Sequence, residues 1–422
     1  MKEVLEQIKR EELVELVLEL CNIPSSYGLE KQAAEYVFDW MQNQGFGPRY
    51  VALVEDRPNV VGRLRGSGNG LSLIFNSHLD TAYGIEDDFH LIDPTNRIYH
   101  NAWQEGEELY GEGVVNDKGP MAAFMVAAKA IKDAGVELKG DLWLTAAVGE
   151  ISQEPVDEFQ GSSYLSKDLG TRYLLTHGGV MGDFALVAEG TDYTPVWVEA
   201  GKAFFKVTLY YREKPIYTPY LERTEDLRDA RNAIVRLAPF IEQFEKWAVD
   251  YEQRQRYECE GGIVVPRASI NAVRGGYPYH MVATSQICSA YIDVRLLPGQ
   301  NPIDVRDELK ALLAESRLDG EVELYLYRGG YEAKNIEPLR TAVEQAHVEI
   351  FRESPKRGYP GLSSMWRDIN VFNEMGIPAL TYGPTRAMMK TGYTVDDLLN
   401  VANIYALIAL DICQQERNSP TI

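Results

Sequence analysis

The chain has 422 residues, 45% of them hydrophobic, enough for two domains or for one domain carrying an insertion. Its formal net charge of −21 speaks against nucleic acid and anionic membrane surfaces as partners. The four cysteines, Cys21, Cys259, Cys288 and Cys413, form no CxxC pair, which fits buried thiols in a reducing compartment and not a disulfide framework.

The amino-terminal stretch "MKEVLEQIKREELVELVLELC" scatters charges among its apolar positions. It reads as an amphipathic helix and as neither a signal peptide nor a membrane span, so a cytoplasmic protein is expected. "EKQAAEYVFDWMQNQG" has helical spacing and closes on a glycine, and "RYVALVE", "NVVGRL" and "LSLIFNS" read as strands. "GPMAAFMVAAKAIKDAG" predicts an alanine-rich helix, and "GDLWLTAAV" and "DFALVAE" predict apolar strands on either side of a helix around "GTRYLLTHG". Helices between buried strands imply an α/β fold with a doubly wound, largely parallel sheet, whose active site lies off the carboxyl ends of the strands.

From about residue 199 the texture changes. "AFFKVTLYY", the long helix "TEDLRDARNAIVRLAPFIEQFEKWAVDYEQ", "GIVVPRASINAV", "SQICSAYIDVRLL", the helix "NPIDVRDELKALLAES" and "EVELYLY" follow the strand–helix–strand–strand–helix–strand order of a ferredoxin-like α+β unit. Short strands such as "IPALTY" then return, and "VDDLLNVANIYALIALDICQQ" predicts a final helix. The expected organisation is one α/β domain, residues 1–198 and 331–422, interrupted by a domain at 199–330.

Chemistry concentrates at strand ends. In "IFNSHLDTAYG" an apolar strand gives way to His78 and, two residues on, Asp80. In "LYGEGVVNDKGPMAAF" two glycines permit an unusual loop path to Asp117, and two further apolar strands run into Glu150 and Glu189. Each feature has an ordinary explanation: a hydrogen-bonded strand-end histidine, an aspartate capping a helix, acids exposed at strand ends. Together they bring an imidazole and several carboxylates to one sheet edge, the mixed nitrogen and oxygen donor set that a catalytic zinc or similar divalent ion needs. Asp80 is expected to accept a hydrogen bond from the other ring nitrogen of His78 and fix its tautomer.

The ordered set "SHLDT", "LYGEGVVNDKGPMAA", the strand ending at Glu150, "ALVAEGT", "IDVRLLPG" and "GIPALTYGP" resembles the zinc-dependent deacylases and exopeptidases that include acetylornithine deacetylase, succinyl-diaminopimelate desuccinylase and the glutamate carboxypeptidases. The resemblance spans almost the whole chain. It implies that His78 and Glu189 ligate a first metal, that Asp117 is the bridging carboxylate, that Asp80 orients His78 and that Glu150 is the general base. It also implies that Asn271 and Arg295 contact substrate, Arg295 by holding a carboxylate. The inserted domain would be a lid through which a homodimer forms.

The chain also departs from that family. Two adjacent acids normally follow the strand, the first a base and the second a ligand of a second metal; here the run is Gly149-Glu150-Ile151. One register makes Glu150 the base, and the other makes it a ligand and leaves no base. The family's histidine after "GP" near the carboxyl end is missing too, since no histidine follows His347. The expectation is one divalent ion, zinc with manganese or cobalt as alternatives, and a doubtful second site. Lys390 is one candidate to replace the second cation, and Glu154, Asp157 or Asp368 could rebuild a site from displaced positions. Where the family's lid places a histidine, this chain has "EKPIYTPYLER", so Tyr217 or Thr218 stands nearest, and a tyrosine hydroxyl can donate to an oxyanion. The remaining histidines fall in no matched motif. The leading expectation is metal-dependent hydrolysis of an amide bond in a small carboxylate-bearing substrate, such as an N-acyl amino acid or a dipeptide. A non-catalytic small-molecule-binding protein on a retired scaffold is the alternative.

Overall fold

The computed structural model describes residues 1–82, 93, 95–151, 153–385 and 392–417. The chain divides into two compact units, one of Met1–Trp197, Ala333–Gly358 and Arg367–Ile422, the other of Val198–Glu332 and Tyr359–Trp366. The sequence reading kept residues 359–366 with the flanking domain; in the structure they pack within the second unit, where the Trp366 indole donates to the Gly329 carbonyl at 3.1 Å.

The first unit is built on a six-stranded sheet in the order Arg49–Val51, Asn59–Leu64, Leu142–Ala147, Leu73–His78, Phe184–Val187, Ala379–Thr381. Pairings among the last four strands are parallel, and those of the first two are antiparallel, so the sheet is mixed at one edge. Leu73–His78 and Leu142–Ala147 are buried at every position, as expected of continuous apolar runs covered on both faces. Alternate side chains serve the two faces. Phe75 joins the core containing the helix Gly119–Asp133 and the final helix Val395–Gln414, its ring 5.6 Å from Phe124 and 5.4 Å from Tyr405. Ile74 points the other way, into a cluster with Trp143, Leu174, Ile369 and Phe372. Burying each such side chain contributes about 1.5–3 kcal/mol, which fixes the strand and hence the place where it ends. The final helix is anchored by a capping box, in which Thr394 Oγ1 accepts from the Asp397 amide at 3.0 Å and the Asp397 carboxylate accepts from the Thr394 amide at 3.3 Å.

The second unit holds an antiparallel sheet in the order Ala268–Gly275, Ile287–Leu296, Gly201–Tyr210, Gly320–Arg328, the spatial order of a ferredoxin-like unit. The helices Ala233–Arg254 and Pro302–Glu315 share its core through Phe240, Phe244, Leu309 and the strand residues Phe205 and Ile292. Two elements differ from the sequence reading. The long helix starts nine residues later than 224, because Asn232 adopts an extended conformation and its side chain accepts from the Ile234 amide, capping the helix there. The stretch 262–273 is two strands, with Gly262–Val264 paired to Tyr257–Cys259 and Ala268 beginning the next, because Pro266 between them has no amide proton for a ladder. No helix among the described residues is long and apolar enough to cross a membrane.

Candidate metal centre

Three carboxyl-terminal strand extensions and one glycine loop meet in the first unit. His78 is the last residue of its strand, and Glu189 lies two residues beyond Val187. Asp117 sits on the loop before the helix Gly119–Asp133. That loop is held by Ser77 Oγ, which donates to the Asp117 carbonyl at 3.1 Å, and by the buried Lys118 ammonium, which donates to the carbonyls of Leu20 and Ile23 at 3.2 and 2.7 Å. Gly113 takes φ +84°, a conformation in which a side chain would strain the loop and meet Thr81 and Lys118 at about 3 Å. The result is that single ligand atoms of His78, Asp117 and Glu189, all buried, lie within 4.8 Å of one another. Among the described residues this is the one such group; Glu154 and Asp157 contribute to none.

The histidine's tautomer follows from its neighbours. Nδ1 lies 2.8 Å from the Asp80 backbone carbonyl, which can only accept, so Nδ1 carries a proton and Nε2, 3.1 Å from Asp117 Oδ2, is the nitrogen left for a metal ion. This corrects the role expected of Asp80. Its carboxylate is 3.7 Å from Nδ1 and instead accepts from the backbone amides of Glu150 and Ile151, at 3.1 and 2.6 Å. The carbonyl orients the imidazole, and the carboxylate pins the Glu150 turn.

Glu150 is 8% exposed, with Oε2 3.9 Å from His78 Nε2 and Oε1 in an ion pair with Lys167. Glu189 has its own buried cation, Arg367, at 3.8 Å. Burial opposes charge on His78, but Asp117, Asp80 and Glu150 together raise its pKa well above the usual imidazole range. Burial first, then the Asp117 charge, raises the Glu189 carboxyl well above its ordinary range, against the pull of Arg367. Without a metal ion, these crowded groups reduce their mutual repulsion by holding protons. A divalent cation would neutralise the same charge, and the donor set of one imidazole nitrogen and two carboxylates fits zinc or manganese.

Asp368 does not join the group. Its Oδ2 accepts from Thr171 Oγ1 at 2.5 Å and from the Asn76 side-chain amide at 3.1 Å, within a buried network that Thr145 completes. Lys390 lies outside the described residues, as does His90. His347 packs as expected, its Nδ1 2.7 Å from the Tyr382 hydroxyl, and His177 stacks on Tyr173. Asn271, Arg295 and Tyr217 belong to the second unit. Asn271 sits where the edge strand shifts register, Arg295 donates to Asp293 at 2.9 Å, and the half-exposed Tyr217 precedes a short turn at Thr218–Tyr220. Sequence reasoning missed Lys167 and Arg367. Neither sits in a motif, and lysine and arginine carry no signal of burial in a linear chain.

A family model described as peptidase family M20/M25/M40 matches residues 74–411. LysW-lysine hydrolase of Deinococcus radiodurans is 23% identical over 399 residues, covering 94% of each chain. N-formyl-4-amino-5-aminomethyl-2-methylpyrimidine deformylase of Bacillus subtilis is 36% identical over 137 residues, which span 32% of this chain and only 28% of that one. A dinuclear metal-binding peptidase of the M20 family from Bacillus subtilis superposes with a TM-score of 0.62 at 12% identity, covering 96% of this chain and 99% of that one.

Proposed function

The chain belongs to peptidase family M20/M25/M40 and is a hydrolase acting on carbon–nitrogen bonds, and from that premise we propose that it cleaves an amide bond in a small carboxylate-bearing substrate, of N-acyl amino acid or dipeptide type, with one divalent ion. The observation that carries this reading is the convergence of His78, Asp117 and Glu189 beside Glu150. Relatives named as a deformylase and a lysine hydrolase fit the same bond class.

His78 Nε2, Asp117 and Glu189 would hold the ion, zinc or in its place manganese or cobalt. Bound there, it supplies the Lewis acidity that polarises an amide carbonyl and acidifies water. Glu150, through Oε2, takes the proton from the attacking water and passes it to the departing amine nitrogen. The Asp80 carboxylate keeps Glu150 in place through the two backbone amides it accepts from, and the Asp80 carbonyl keeps the imidazole in the metal-binding tautomer. By the family resemblance, Asn271 and Arg295 recognise the substrate carboxylate and Tyr217 donates to the developing oxyanion. Homodimerisation through the second unit belongs to the same proposal. It is supported by the edge strand Ala268–Gly275 and the apolar residues exposed there and nearby in sequence, Val273, Tyr277, Tyr279, Met281 and Ile287. The four free thiols support a cytoplasmic location.

The test is a panel of N-acyl amino acids and dipeptides assayed with zinc, manganese or cobalt, with His78→Ala as control. Wild type is expected to hydrolyse at least one member and to bind metal with a rise in thermal midpoint, and His78→Ala to lose both. No hydrolysis by metal-loaded wild type would favour a non-catalytic binding protein.

A further inference from the structure

The family resemblance implies a second metal beside the base, and a dinuclear relative shares the fold, yet this chain has Ile151 where the second acid is expected and no histidine beyond His347. Two acids nonetheless remain on that side. Glu150 is 8% and Asp368 3% exposed. The Asp368 carboxylate is held by Thr171 Oγ1 at 2.5 Å, on the helix that directly follows the turn carrying Lys167, and its pKa is raised by burial and then by the charge of Glu150, with Lys167 opposing the rise. Lys167 is itself 4% exposed and ion-paired with Glu150 Oε1. A lysine is almost never buried this deeply without a partner that needs its charge.

The backbone is built for this contact. Lys167 rides on the single turn Ser166–Leu169, and glycines at two points allow that turn to lie against the end of the strand Leu142–Ala147. A Cβ on Gly149, which has φ +67°, would fall 2.3 Å from the Ser166 carbonyl, and a Cβ on Gly170 would fall 2.2 Å from the Val148 carbonyl. A side chain at either position would force the turn and the strand end to shift relative to each other.

We propose that the Lys167 ammonium is a built-in replacement for a second metal ion, neutralising Glu150 and Asp368 and fixing Glu150 by one oxygen so that the other faces the metal-binding residues. The proposal rests on the one-metal amidohydrolase reading above and concerns a residue that positions the base and takes no part in bond cleavage. A covalently tethered monocation cannot be removed by chelators. It also cannot polarise a carbonyl as a divalent ion does, so its contribution is the orientation of Glu150. Lys390, the candidate read from the sequence, is not needed for this role.

The experiment begins with wild-type protein saturated with zinc, its metal content measured by elemental analysis and its ions located by anomalous scattering. One ion is expected, at residues 78, 117 and 189. A second ion beside Glu150 and Asp368 would overturn the proposal, whereas no ion at residues 78, 117 and 189 would refute the underlying one-metal reading, a separate result. Lys167→Met is expected to lower kcat about 100-fold with KM changed by less than about threefold, since misplacing a catalytic group by about 1 Å costs that much. The same variant should take up more than one equivalent of zinc, because Glu150 and Asp368 lose their cation; a merely structural lysine would leave the metal count at one. Lys167→Arg, which keeps the charge, should stay at one equivalent and recover part of kcat. A Lys167→Met protein with one equivalent and kcat within threefold of wild type would overturn the proposal. Should Lys167→Met not fold, the wild-type ion count and the Lys167→Arg variant decide the question.

Discussion

In the first unit the strand Leu73–His78 is buried along its whole length, whereas in the second unit Ala268–Gly275 exposes most of its residues. The first lies inside a mostly parallel sheet covered on both faces. The second is the edge of an antiparallel sheet whose covering helices leave that edge open. The difference bears on function. A parallel strand sealed on both faces can end in charged groups only where a loop or a neighbouring strand shields them, so polar residues at its carboxyl end are drawn into one small, dry space. An open antiparallel edge gathers nothing inward and presents unpaired backbone groups to whatever binds it.

Three substitutions sharpen or break this contrast. The largest effect is expected at the buried strand ends, where Glu150→Gln removes the proposed proton carrier and should lower kcat about 10³-fold, in the usual range for general acid–base groups, with zinc content unchanged. Retained activity would move the base elsewhere. A smaller loss is expected from Asp80→Asn. Because the imidazole is oriented by the Asp80 backbone, zinc affinity should stay within about threefold of wild type, while kcat falls about 10- to 100-fold through a loosened Glu150 turn. If zinc affinity fell as steeply as kcat, the carboxylate would be orienting His78 after all. The mildest effect on the protomer belongs to the open edge. Val273→Asp should turn a dimeric protein into a monomer by sedimentation velocity while shifting the thermal midpoint by no more than about 2 °C, as surface substitutions do. A wild type that is monomeric at micromolar concentration would remove the role assigned to that edge.

Much of the candidate metal-binding group was legible in the sequence because it follows regular strands. His78, Glu150 and Glu189 each lie within three residues of the end of an apolar run, and strand periodicity locates the end of a run. Asp117 was found through its glycines, which mark a loop that turns sharply before a helix. The part played by Asp80 was misread, since a sequence does not reveal whether a residue will use its side chain or its backbone carbonyl, and here the two do different work. The late start of the helix at Ala233 depended on a cap that competes locally with helical propensity, and that competition is settled by packing.

By itself, the sequence determined the order of strands and helices, the residues placed at the strand ends, the Ile151 after Glu150 and the lack of a histidine beyond His347, because these depend on local periodicity and residue identity. The tertiary structure decided which charges meet. Lys167 is 17 residues from Glu150 in the chain, and Arg367 lies in a segment far from Glu189, so both pairings depend on close backbone approach and on the cost of burying a charge without a partner. That cost exists only once the chain has folded around it.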